Sequence, residues 1–202
     1  AFEPLPEMAA NIAKEAKNRY GENNCIEVRS AALSDCPGQE TFYRSEYPSR
    51  SSLIVRDADF TGTLEPYTVP VATLDSLVDE GISKFVSVMK IDAEGAEFNI
   101  LKGGKKFFAE RWPLTVIELS PHQLKDVNAT TDEFFDYLDE INYSYYNLDG
   151  SPFDRDYVSR EEPFPCYERF GAKRGHWIEN FITESMPSLV NRQLDRYLQQ
   201  SS

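Results

Sequence analysis

Three carboxylates, Asp92, Glu94 and Glu97, fall inside the stretch KIDAEGAEFNILKGG at residues 90–104, directly after the apolar run Phe85-Val86-Ser87-Val88-Met89. Acids gathered where a buried strand gives way to a helix can accept the hydroxyls of a ribose, face or move a proton, or offer oxygens to a hard cation. Two further acids belong with them by position: Glu118 closes the apolar stretch LTVIEL, and Glu3 lies in the opening AFEP. His122, four residues beyond Glu118 in ELSPHQL, is one of two histidines and a candidate base for a hydroxyl proton. The other, His176 in KRGHW, has no positional argument of this kind.

These side chains need elements to carry them. Ala9, Ile12, Ala13, Ala16 and Tyr20 recur at helical spacing and Gly21 supplies a stop, so residues 6–20 read as an amphipathic helix. CIEVRSAAL and, after the Pro37-Gly38 turn, GQETFYRS read as strands. Residues 46–68 are polar and turn-rich, a loop long enough to be functional. YTVPVATLDSLVDEG then gives an extended piece and a short helix. The run from Phe85 to Ile91 lacks polar alternation, as a strand covered on both faces does, and Asp92 falls at its carboxyl end. Ile100, Leu101, Gly104, Phe107 and Phe108 line one side of a helix that Arg111-Trp112-Pro113 ends, and LTVIEL is the next buried strand. TTDEFFDYLDEI is a further helix, with Thr130 and Glu133 spaced as a capping box. YSYYNL, the Asp149-Gly150 turn and HWIENFIT supply closing strands, and a helix completes residues 143–200.

Strands alternating with helices predict an α/β fold in a single domain over residues 1–202, with ligands beyond the carboxyl ends of the strands. Glu3, Asp92 and Glu118 all lie on that rim. Each has a structural alternative. Glu3 suits the hydroxyls of a ribose, or it caps the helix that follows. Asp92 faces a reacting centre, or it is a favourable acid at a helix start. Glu94 is the better candidate of the next two, because Glu97 is placed to hold a neighbouring backbone group or lysine. Gly95 lets the backbone turn closely at a pocket floor, whereas Gly103-Gly104 permits close packing of the helix. Asp92, Glu94 and Glu118 can alternatively hold Mg²⁺, but the spacing does not require a metal and none is assigned. Arg44, Ser49, Arg50, Ser51 and Ser52 in the long loop suit a polyhydroxylated acceptor, and Tyr143, Tyr145 and Tyr146 read as core.

The net charge of −13 and pI near 4.6 speak against a nucleic-acid partner, which needs clustered Lys and Arg. Cys25, Cys36 and Cys166 lack metal-site spacing and fit a reduced, cytoplasmic compartment. No apolar run reaches the ~18 residues of a membrane span, so no membrane insertion is expected.

KIDAEGAEFNILKGG followed by PLTVIEL resembles the signature of the FkbM-type methyltransferases, a Rossmann-like branch of the S-adenosylmethionine-dependent enzymes. AFEP, SAALSD with Gly38 beyond it, and VPVATLDSL resemble the same family in the same order, and the likeness covers roughly residues 1–185. The resemblance implies a methyltransferase sheet with helices on both faces and transfer of a methyl group to a hydroxyl of a sugar, glycan or related small molecule. It also implies S-adenosylmethionine as cofactor, held by Glu3, Pro4, Ala32 and Asp92. Asp92, Glu94 and His122 are then the catalytic candidates, with Ser51, Ser52 and Glu118 on the acceptor. The family's first strand and glycine-rich turn would precede AFEP, so the first strand and the middle of the sheet are expected to be absent from this chain. A second reading therefore stands beside the first: a non-catalytic, methyltransferase-like module that binds a glycan or a protein through the same rim.

Overall fold

The computed structural model describes residues 1–55, 62–81, 86–147, 153–155 and 179–184. The first helix, α1 (Pro6–Tyr20), starts on a proline whose missing N–H costs nothing there, carries Glu7 in its first turn and Lys17 and Arg19 in its last. It ends at Gly21, whose φ of 85° suits glycine and whose N–H donates to the Lys17 carbonyl at 2.8 Å. Ala9 and Ala16 are its buried residues.

Strands β1 (Ala32–Leu33), β2 (Gly38–Ser45) and β3 (Leu64–Ala72) form one sheet in the order β1-β3-β2. β2 and β3 are antiparallel, from Gly38 opposite Val71 to Ser45 opposite Leu64, while β1 runs parallel to β3 with Ala32 opposite Val71. Leu5, Ala32, Phe42, Val69 and Val71 form the small core on this sheet. The chain before α1 runs beside residues 27–29, with a parallel bridge between Phe2 and Arg29.

A second sheet contains β4 (Val88–Ile91), β5 (Leu114–Leu119), β6 (Ser144–Asn147) and β7 (Glu179–Glu184), in the order β4-β5-β7-β6. β4 and β5 are parallel, which requires a crossover, and helices α3 (Glu97–Lys102) and α4 (Lys105–Arg111) provide it. β7 is antiparallel to both its neighbours. The main core gathers between this sheet and its helices, with Ile117, Phe134, Phe135 and Leu138 fully buried and Tyr143 beside them. Helix α2 (Leu74–Asp79) is capped by the Thr73/Ser76 pair, and Asp75 ties it to α4 by accepting from the Phe107 N–H at 2.8 Å. α5 (Pro121–Asp126) and α6 (Thr131–Glu140) follow β5, and Thr130 and Glu133 close the expected capping box on α6.

The α/β class, the first helix, GQETFYRS, LTVIEL and the capped α6 stand as the sequence predicts. The described residues form two separate small sheets, of three and four strands. Several expectations change. CIEVRSAAL yields only the two-residue β1 and the bridge at Arg29, because the chain there hydrogen-bonds to residues 1–3 instead of to a full neighbouring strand. β3 begins at Leu64, inside the segment read as loop. β4 is not covered on both faces: Val88 is 63% exposed and Lys90 is exposed, since β4 is an edge strand. The helix expected to run on to Arg111 breaks at Gly103-Gly104. A Cβ on Gly103 would lie 2.1 Å from the Ser34 carbonyl oxygen, so the backbone there passes against the β1–β2 turn and restarts as α4. The Asp149-Gly150 turn and the C-terminal helix lie outside the described residues.

Candidate active site

The strand register sets the site. Ile91 lies opposite Ile117 in the parallel β4–β5 pair, so the next residue of each strand, Asp92 and Glu118, stand level at the carboxyl ends. Residues two apart on a strand share a face, and Lys90 meets Asp92 with Nζ 2.5 Å from Oδ2. Asp92 and Glu118 offer carboxylate oxygens within 4.8 Å of each other, close enough for each to act on the other's titration. Burial pushes the Glu118 carboxyl well up, helped by the charges of Asp92, Glu94 and Glu97. Burial also acts to raise Asp92, but Glu118 and Lys90 beside it outweigh this, and the net direction is down. The two shifts run in opposite directions, so of the two carboxyls Asp92 is the one that ionises first.

The turn from β4 to α3 is built by two unusual backbones. Glu94 has φ 53° and Gly95 φ 103°, a left-handed pair that only glycine adopts freely at the second position. Glu97 fixes this turn: its Oε1 accepts from the Ala93 N–H at 2.7 Å and its Oε2 from the Gly95 N–H at 2.9 Å. Glu97 is 5% exposed, and burial pushes its carboxyl up to about 7 against the opposing pull of those N–H groups. It holds backbone, as expected, and leaves Glu94 to face outward.

Glu94 is pinned at its backbone by the Ser52 hydroxyl, which donates to the Glu94 carbonyl at 2.8 Å and accepts from the Ile54 N–H at 3.1 Å. Ser52 is 2% exposed and its backbone bridges to Tyr43. Its hydroxyl is thus engaged in holding the long loop on the acid turn and does not line the cleft described below. Ser51 does line the cleft, and its Oγ accepts from the Ser45 N–H at 3.1 Å.

A cleft of about 740 Å³ runs between the two sheets, bordered by Glu3 and Pro4, by Ala32, and by β4 with Asp92 and Glu94. Glu3 is partly buried there. Its Oε1 accepts from the Leu5 N–H at 2.9 Å, so it meets the backbone just before α1 while also lining the cleft. Burial raises its carboxyl, the Leu5 N–H opposes this, and Glu7 adds to it.

His122 is not brought to the cleft. It is exposed on α5, whereas its neighbour Gln123 is buried and sends Nε2 to Glu94 Oε2 at 3.4 Å. Successive helical residues point about 100° apart, so once Pro121 begins α5 only one of the two can face the acids. Sequence reasoning missed Gln123 and Lys90. The second was legible, two residues before Asp92 on the same strand face.

The family model of the methyltransferase FkbM domain matches residues 1–145, a span that contains both flanks of the cleft and every acid described above. The chain belongs to the FkbM methyltransferase family. No curated protein and no solved structure matches it. FkbM membership carries methyltransferase activity in general terms, and among the described residues no helix is long and apolar enough to cross a membrane.

Proposed function

We propose that this FkbM-family protein is an S-adenosylmethionine-dependent O-methyltransferase acting on a hydroxyl of a sugar, glycan or related small molecule. The observation that carries the reading is the ionised Asp92 at the end of β4, opening on the cleft with Lys90 and Glu118 at its side. Three acids, Glu3, Asp92 and Glu94, line the same cleft. S-adenosylmethionine, when bound, supplies an electrophilic methyl group on a sulfonium.

The chain's residues do the rest. Glu3 is suited to the ribose hydroxyls, with Pro4 and Ala32 as apolar wall beside it. Asp92 orients the acceptor hydroxyl or faces the sulfonium charge, and its lowered pKa keeps it a carboxylate for either task. Glu118 stands beside Asp92 at the end of the neighbouring strand. Glu94 lines the cleft close to Asp92, and Ser51 lines it from the loop. His122 has no part in this scheme.

Incubation with methyl-labelled S-adenosylmethionine and a panel of sugars and glycans tests the reaction, with label expected on an acceptor oxygen. Calorimetric titration tests the cofactor separately, and Glu3→Ala should weaken binding by the ~1.5–3 kcal/mol of a hydrogen bond to a charged group. Affinity unchanged in Glu3→Ala removes that residue from the cofactor site. A chain that binds glycans but neither S-adenosylmethionine nor label is the non-catalytic module.

A further inference from the structure

We propose that Asp92, Glu94 and Glu118 bind one hard divalent cation of the Mg²⁺ or Ca²⁺ class, with Gln123 Oε1 accepting from a water on that ion. The three carboxylates come from two elements, the β4–α3 turn and the end of β5, and each offers an oxygen within 4.8 Å of the others. Oxygens on opposite sides of a bound ion stand ~4.0–4.2 Å apart for Mg²⁺ and ~4.6–5.2 Å for Ca²⁺, so the span suits the second directly and the first after small side-chain rotations.

Gln123 is the independent observation. It is 5% exposed, its amide nitrogen is directed at Glu94 Oε2, and its Oε1 is a buried side-chain oxygen with no hydrogen-bond partner among the described residues. An unsatisfied buried acceptor costs about 1–3 kcal/mol, so this oxygen, on the amide whose nitrogen reaches Glu94, calls for a donor. Water on a small divalent cation is a strong donor, and Mg²⁺ keeps several of its waters. Carboxylate and amide oxygens are hard ligands throughout, with no Cys or His among them, which excludes a thiophilic metal.

The cluster is also open to such an ion. Asp92 and Glu94 line the cleft, which gives a route from solvent. The cation now on Asp92 is Lys90, whose side chain is 62% exposed, and an exposed pair of this kind yields its place at little cost. The binding site stands on these atoms alone. A role for the ion in orienting the acceptor hydroxyl rests on the methyl-transfer reading.

The test is titration of the chelator-treated full chain with Mn²⁺, followed by loss of the free-ion paramagnetic signal, with Mg²⁺ and Ca²⁺ as competitors. One saturable site is expected. Asp92→Asn and Glu118→Gln should each weaken it by at least ~10-fold and Gln123→Met by a smaller factor, as partners beyond the direct ligands do. Glu15→Gln, which removes an exposed acid on α1, should change nothing. Competition by Mg²⁺ or by Ca²⁺ names the ion. In wild type, independent of any variant's folding, bound Mn²⁺ should broaden the amide signals of Ala93, Gly95 and Leu119 first, at the lowest ratios of ion to protein. No saturable binding at millimolar Mn²⁺, broadening that begins elsewhere, or equal affinity in folded Asp92→Asn and Glu118→Gln overturns the proposal. A chain that binds Mn²⁺ but transfers no methyl group keeps this site and loses the reading above. Transfer without any bound Mn²⁺ does the reverse.

Discussion

Asp92 and Glu118 stand level at the ends of two parallel strands, with carboxylate oxygens within 4.8 Å of each other, because Ile91 and Ile117 pair in register one residue earlier. A slip of one residue would send one of the two to the other face of the sheet. The buried pair Ile91 and Ile117 holds that register, so the core of this domain and the chemistry at its rim are fixed by the same contact.

Gly103 should tolerate no side chain. A Cβ would lie 2.1 Å from the Ser34 carbonyl oxygen, which is backbone and cannot turn aside. Gly103→Ala is expected to cost ~3 kcal/mol or more, seen as a fall in Tm on the order of 10 °C. Gly104→Ala meets Leu74 Cδ1 and Phe108 Cε2, both at 2.9 Å, which are side-chain ends that can move, so its loss should be smaller. Equal losses in the two variants would contradict this ordering.

Glu97 makes stability depend on pH. Its carboxyl is raised to about 7 in the folded state, so the folded chain keeps a proton that the unfolded chain releases near 4.5. That stabilisation is fully present below about 4.5 and is lost as pH rises through about 7, a change on the order of 3 kcal/mol for this group. Glu118, also raised, acts in the same direction. Denaturant unfolding at a series of pH values should show the decline, and Glu97→Gln should flatten it while lowering stability at acid pH, because an amide cannot accept from both Ala93 and Gly95. A decline as steep in Glu97→Gln as in wild type would clear Glu97 of the effect.

Ser52→Ala removes the hydroxyl between the Glu94 carbonyl and the Ile54 N–H. With both partners left in a site that is 2% exposed at Ser52, the expected loss is ~1–3 kcal/mol in denaturant unfolding. Ser51→Ala, on the cleft side, should cost less stability and act on acceptor KM instead. A Ser52→Ala variant as stable as wild type would show that the loop is held by its other contacts.

What the sequence made legible was local. The Thr130/Glu133 box, the Pro6 start of α1 and the KIDAEGAE turn each declare themselves within a few residues, and the structure has all three. Facts that depend on a distant neighbour were hidden. An apolar run such as Phe85–Met89 reads the same in a central strand and in an edge strand beside a cleft, so the exposure of Val88 could not be seen. The exchange of His122 for Gln123 turns on the phase of one short helix, which Pro121 sets and the residue types do not reveal. Ser52 reads as a free hydroxyl until Glu94, 42 residues away, is placed against it.

The most direct test of Asp92 as the reacting acid is a labelled methyl-transfer assay on a sugar acceptor, with wild type and Asp92→Asn, each with and without chelator. The Asp92 side chain is 39% exposed and its ion pair lies at the surface, so the variant should fold with little loss of stability. Turnover should fall by ~10²–10⁴, the range for a positioned acid or base, with S-adenosylmethionine affinity largely retained because the loss is confined to the transition state. Wild-type turnover in Asp92→Asn under both conditions would contradict the account and leave the carboxylate at 92 as the ion-pair partner of Lys90.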